Sequence, residues 1–210
     1  ANDKTILFVS HNLTAVSNLC NKTLHLERGT VKQMGETAQV LKNYMSEVQS
    51  KKMNFTADRF SAGLGNDLIR LKYAEIKPQL ASGLDYWTVK DAFQLNFEFW
   101  NTLDDVDLNV SIHLYASTGE CIFNIGNQPK KYNKGIISTN VEIPGHFLND
   151  GSYFLSIMVV KNSSIVLVNF DELFEFEIAD YRENTTWYGK WPGYVRPNFP
   201  IYMQQETSEL

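Results

Sequence analysis

The sequence predicts a mainly β protein: an antiparallel β-sandwich, immunoglobulin-like or jelly-roll-like, preceded by a short α/β segment. Three observations carry this prediction. Phe93, Leu95, Phe97 and Phe99 alternate with Gln94, Asn96, Glu98 and Trp100, the period of a strand with one buried face. Leu108, Val110, Ile112 and Leu114 repeat the pattern against Asn109, Ser111, His113 and Tyr115. Turn-forming clusters such as Ser117-Thr118-Gly119, Asn133-Lys134-Gly135 and Asn149-Asp150-Gly151 cut the chain into short strands, the texture of a sandwich.

Taken in order, residues 1–48 read as strand, helix, hairpin, helix. Ile6-Leu7-Phe8-Val9 is an apolar run suited to a strand buried on both faces. Leu13, Val16 and Leu19 fall at helical spacing, and Leu24-His25-Leu26 turns at Glu27–Thr30 into Val31–Met34. Thr37 is placed to cap a helix carrying Val40, Leu41, Tyr44, Met45 and Val48. Residues 49–66 are polar with Gly and Ser and no sustained period, and read as a linker. Residues 67–180 hold the sandwich. Its further strands are expected at Leu68–Ile76, Cys121–Ile125, Ile136–Ile143, Tyr153–Val160, Ile165–Phe170 and Phe174–Ile178. Residues 181–210 crowd Trp187, Tyr188, Trp191, Tyr194, Phe199 and Tyr202 among Gly and Pro, too aromatic for a solvated tail.

Composition narrows the function. A net charge of −5 without a concentrated basic face argues against a nucleic-acid partner. No apolar run reaches the roughly 18–20 residues that span a bilayer, and no secretory leader opens the chain, so a cytoplasmic protein is expected. Cys20 and Cys121 are far apart and accompanied by no CxxC and no paired histidines. They read as two buried free thiols rather than a zinc site or a disulfide, and no metal site is expected.

The segments Thr5–Asn12, Leu19-Cys20-Asn21-Lys22, Leu24–Gly29 and Gly35-Glu36 resemble the C-terminal end of an ABC ATPase domain. The resemblance implies that His11 is the switch-loop histidine of that family, whose imidazole donates to the γ-phosphate. The chain contains no Gly-x-x-x-x-Gly-Lys-Ser/Thr phosphate loop, no Leu-Ser-Gly-Gly-Gln signature and no magnesium-binding acidic strand end. Those parts are expected upstream of Ala1, so His11 would act only in the intact ATPase. ATP and magnesium would be cofactors of a longer parent, with none bound by this chain alone. With Ile143-Pro144, Leu148–Tyr153 and Glu172–Ile178, the arrangement of switch-loop end, linker and aromatic sandwich resembles the Wzt family, the ATPase subunits of O-polysaccharide exporters. That resemblance implies a carbohydrate-binding domain at the cytoplasmic face of the inner membrane. Its implied partners are the exported polysaccharide, a membrane-spanning subunit and a second copy of itself.

The residues point the same way on their own chemistry. Aromatic platforms with amide, carboxylate and imidazole groups grip sugars by their C–H faces and hydroxyl edges. Gln94, Asn96 and Trp100, with Asn109, His113 and Tyr115, are therefore the candidate glycan-binding residues, expected together on one polar sheet face. Lys130 and Lys131, in a loop with Tyr132 and Lys134, would meet an acidic or phosphorylated terminus. Glu175 and Glu177 are two residues apart on one strand face, too close for an inverting glycosidase pair, and read as solvated. Trp187, Trp191, Tyr194, Phe199 and Tyr202 are the candidate dimer contacts, since two tethered copies can exchange an aromatic segment at little cost. The competing expectation is a dimerisation or docking module without direct glycan binding.

Overall fold

The computed structural model describes residues 5–10, 13–49, 53–81, 83–84, 86–180, 182, 187, 189–197 and 199–204. The first segment folds as α1 (Leu13–Leu19), the hairpin β1 (Lys22–Glu27) and β2 (Thr30–Glu36), and α2 (Thr37–Gln49). Arg28 and Gly29 take φ of 49° and 81°, the pair of positive values that a tight two-residue hairpin turn requires. Thr37 is buried, but its hydroxyl donates to the Cys20 carbonyl at 2.7 Å and accepts from Thr23 at 2.9 Å. It thus pins the start of α2 to the hairpin and to the end of α1. Ile6, Leu7 and Val9 form no strand and are exposed at 84%, 92% and 97%. The reason is pairing: an apolar run becomes a strand only beside a hydrogen-bonded neighbour, and none lies against it among the described residues. His11 lies outside the described residues.

The stretch expected as a linker is part of the sandwich. The Met53 carbonyl accepts from Ile76 N, and β3 (Asn54–Thr56) and β4 (Leu64–Gly65) both pair with one edge of β5 (Ile69–Gln79). Between them Phe60–Ala62 makes a single 3-10 turn. Then follow β6 (Ala92–Asn101), β7 (Val106–Ala116), β8 (Cys121–Gly126), β9 (Lys130–Tyr132), β10 (Gly135–Ile143), β11 (Gly151–Lys161) and β12 (Ile165–Ile178).

Two five-stranded antiparallel sheets result. The first runs β10-β6-β5 with β3 and β4 on the outer edge, and the second runs β12-β11-β7 with β8 and β9 on the outer edge. The chain crosses between sheets after β6, before β10 and again before β11, as in a Greek-key sandwich. The alternation in β6 and β7 is as read: Phe93, Leu95, Phe97 and Phe99 meet Leu108, Ile112 and Leu114 inside, all at most 4% exposed. Burying one such side chain stabilises by about 1.5–3 kcal/mol. Trp87 closes one end, stacked on Phe176 at 4.6 Å and edge-on to Phe93 at 4.8 Å. Burial pushes the Tyr153 phenol well above its ordinary range, and its hydroxyl donates to the Asn149 carbonyl at 2.7 Å.

Where two strands were expected at residues 165–178, β12 is one strand interrupted by a bulge. Leu155 pairs with Phe174 and Ile157 with Phe170, so Asp171, Glu172 and Leu173 stand opposite Ser156 alone. Glu172 holds φ 43° there, a conformation that costs a non-glycine residue about 1–2 kcal/mol. The α/β segment docks on the sandwich through Met45, which is fully buried against Tyr86 and Ala179. The thiols are not both buried: Cys20 is half-buried and Cys121, on the edge strand β8, is exposed. No helix among the described residues is long and apolar enough to cross a membrane.

Candidate binding face

The candidates drawn from β6 and β7 do not share a face. Alternation fixes which side chains point outward, and β6 and β7 lie in different sheets, so their outward residues emerge on opposite sides of the sandwich. Gln94, Asn96 and Trp100 are on one side; Asn109, His113 and Tyr115 are on the other.

On the first sheet the outward groups satisfy each other. Lys72 donates to Glu98 at 2.7 Å, Tyr73 to Glu75 at 2.9 Å, and Asn140 to Asn96 across the strands. Gln94 sits between Lys77 and Glu142 in register. Trp100 is no open platform. The 3-10 turn covers it, with Phe60 edge-on at 6.0 Å and Gly63 packed so close that a Cβ there would stand 3.1 Å from the indole. Arg70 locks this cover by donating to the Gly63 carbonyl at 3.0 Å while its guanidinium lies 5.1 Å from the Phe60 ring centroid.

The second sheet presents an aligned set. Its central row is Asn124 on β8, His113 on β7 and Ser156 on β11, with Asp171 of the bulge reaching the end. A row of Cys121, Tyr115, Phe154 and Glu175 borders it on one side; Gly126, Ser111, Met158 and Asn169 border it on the other. Hydrogen bonds link the rows. Ser111 Oγ donates to Asn124 Oδ1 at 2.8 Å, and its oxygen is 2.9 Å from His113 Nε2. Tyr115 Oη is 3.3 Å from His113 Nδ1, and the two rings run nearly parallel at 20°. Because Ser111 spends its proton on Asn124, it accepts from His113 Nε2–H. Ser156, only 1% exposed, donates to Asp171 Oδ1 at 2.9 Å and accepts from the Glu172 amide at 3.0 Å. Sequence reading missed Ser156, Asp171, Phe154, Met158 and Asn124, because nothing local marks the bulge or the register that gathers them. Asn109 lies one row beyond Ser111, opposite Val160, with its buried Oδ1 unbonded.

The two lysines are not in a loop. Lys130 and Lys131 belong to β9, paired with Leu108 and Asp107 at the foot of β7, and Lys131 is bridged to Asp105 at 2.8 Å. At the opposite end, Ser152 and Glu177 continue the face into a cavity of about 570 Å³ beneath the α/β segment, walled by His25 and Tyr44 and by Arg182. Burial and the nearby Glu177 charge raise the Tyr44 phenol above its ordinary value.

The aromatic C-terminal stretch folds back on its own domain as far as Arg196. Val195 bridges Leu148, Arg196 N donates to the Phe147 carbonyl at 2.8 Å, and Tyr194 meets Thr118 at 3.0 Å. Trp187 and Trp191 pack edge to face at 5.1 Å, each under an arginine, Arg182 and Arg196. Phe199 and Tyr202 are exposed at 76% and 87%, with no such contact among the described residues.

No protein-family model matches the chain. It is 41% identical over 44 residues to the teichoic acids export ATP-binding protein TagH of Shouchella clausii, which is 21% of this chain and 12% of that protein. The corresponding protein of Staphylococcus epidermidis matches at 38% over 56 residues, 27% of this chain and 21% of that protein. The matches thus span between about an eighth and a fifth of the length of these curated relatives. Among solved structures, the C-terminal domain of Wzt aligns with 75% of this chain and 91% of its own, at 12% identity and a TM-score of 0.49. The cupredoxin domain of amoB from Nitrosocaldus yellowstonii aligns with 59% of this chain at a TM-score of 0.33. By sequence, then, the chain is similar over part of its length to ATP-binding subunits named for teichoic acid export, and it carries an antiparallel sandwich beside that part.

Proposed function

We propose that this chain is the glycan-binding accessory part of an ABC-type exporter of surface polysaccharide, working beside the membrane-spanning subunit at the cytoplasmic face. The carrying observation is the row Asn124–His113–Ser156–Asp171 crossing four strands of the second sheet, flanked by Tyr115 and Phe154 on one side and Met158 on the other. A polar band between aromatic and thioether walls suits a sugar chain, whose edges hydrogen-bond while its C–H faces stack. The partial similarity to export ATP-binding proteins supports the exporter reading and, with it, a transporter partner; it leaves the kind of glycan to the binding face. Nucleotide chemistry on this reading needs a phosphate loop that this sequence does not contain.

Calorimetric titration with the polysaccharide made by the same cell tests the reading. Tyr115→Ala and His113→Ala should each weaken binding roughly tenfold, within the about 1–3 kcal/mol that a stacking side chain contributes in other ligands. Trp100→Ala, altered on the opposite side, should bind as the parent does. Full-strength binding by both second-sheet variants, with loss in Trp100→Ala, would move the site to the first sheet.

A second reading draws on Phe199, Ile201, Tyr202 and Met203, exposed at 76%, 87%, 87% and 93%. So much apolar surface in one short run marks an interaction site, and we propose that a second copy covers it.

A further inference from the structure

We infer that the binding face of the second sheet selects an uncharged, hydroxyl-rich glycan and rejects a polyanionic one such as a poly(polyol phosphate). The inference rests on the glycan-binding reading above and names the substrate class of that same face.

Two independent observations carry it. The first is charge. In register, the outward residues include Glu175 on β12 and Asp171 from its bulge. Asp171 and Glu175 are exposed at the rows that hold His113 and Tyr115. Among the described residues, the basic groups near the face are engaged elsewhere or point away from it. Lys131 is taken by Asp105 at 2.8 Å, and at the other end Lys190 is taken by Asp150 at 3.3 Å and Arg182 by Asp180 at 3.1 Å. Lys130 and Lys161 both pair with Leu108, whose side chain is in the core, so neither points to the outer face. Phosphates laid at the β11–β12 end of these rows would stand beside Asp171 and Glu175, and charges closer than a Debye length, about 8 Å at physiological salt, are little screened.

The second observation is the direction of the hydrogen bonds. The hydroxyl protons of the central row are spent inside it: Ser111 gives its proton to Asn124 and Ser156 to Asp171. What faces a ligand is mostly acceptors, namely the carboxylates of Asp171 and Glu175 and the oxygen of Tyr115, with the Asn124 amide as the donor in the central row. A sugar hydroxyl donates and accepts, so it satisfies such a surface. A phosphodiester only accepts, and its oxygens would be set against other acceptors.

The test uses the whole chain and two sets of probes of matched length: uncharged hexose and N-acetylhexosamine oligosaccharides, and poly(glycerol phosphate). Binding of an uncharged probe, unchanged between low and high salt, with poly(glycerol phosphate) at least tenfold weaker, is the expected result. Glu175→Lys, at an exposed strand position that leaves the fold intact, should then admit poly(glycerol phosphate) in a salt-sensitive manner. Asp171→Asn, checked for an unchanged melting temperature, should narrow the same gap. If the parent chain binds poly(glycerol phosphate) as tightly as the best uncharged probe, the inference fails while glycan binding stands. If neither probe set binds, the glycan-binding reading fails, and this inference with it.

Discussion

Asn149 is fully buried and ties its own turn to the stretch from Trp191 to Arg196. Its amide donates to the carbonyls of Trp191 and Gly193 at 2.7 and 2.6 Å, while its Oδ1 accepts from Arg196 Nε at 2.6 Å. Its backbone accepts from Tyr153 and donates to Tyr194. Replacing it by alanine strands buried partners, and each costs about 1–3 kcal/mol. Asn149→Ala should therefore lose about 3 kcal/mol in urea unfolding. Limited proteolysis should cut first between residues 187 and 196, with a red shift of tryptophan emission; unchanged stability would show that the clamp is dispensable. In the sequence this residue reads as one member of the turn Asn149-Asp150-Gly151, and that much is right. Its partners lie 42 to 47 residues further on, beyond the reach of any local pattern. The same limit hides Ser156, which looks like a stray polar residue in an apolar strand until Asp171 and the Glu172 amide come to meet it.

Strands were legible because their period is a property of neighbouring residues. Phe93 to Trp100 and Leu108 to Tyr115 alternate in the structure as they do in the sequence. Sheet membership was not legible, because the same alternation suits either layer. Putting β6 and β7 side by side merged two faces that the fold sets apart. The 49–66 stretch was misread for a related reason. Edge strands as short as Asn54–Thr56 and Leu64–Gly65 are too brief to show a period, and their pairing comes from β5. Gly63 reports on that docking. A Cβ there would stand 2.5 Å from the Leu71 carbonyl, with the Trp100 ring and Arg70 Cβ both at 3.1 Å. Gly63→Ala should lift the 3-10 turn away from β5, destabilise by about 2 kcal/mol as overpacking does, and raise quenching of Trp100 by acrylamide. Glycan binding on the opposite sheet should not change. Wild-type stability in this variant would mean that the turn is not seated on the sheet.

At the scale of the molecule, the C-terminal stretch divides at about Arg196. Up to that point it is fastened to its own sandwich by Asn149, Asp150 and Asp180; from Phe199 to Met203 it offers apolar side chains to solvent. A chain ending at Pro197 should stay folded and scatter light as a monomer, while the full chain at tens of micromolar should scatter as a dimer. A monomeric full chain under those conditions removes the second copy as the cover for Phe199–Met203.

The fastening of residues 53–65 to the first sheet has a mechanical consequence. Only residues 50–53 separate the end of α2 from the start of β3. Whatever path they take, five Cα–Cα steps of at most ~3.6 Å keep Gln49 and Asn54 within about 18 Å of each other. Had 49–66 been a free tether, a swing of α2 could have been lost in its slack. With so little rope paid out, and Met45 bearing on Tyr86 and Ala179, α2 is hitched to the sandwich as by a drawbar: it cannot travel far without unseating Met45.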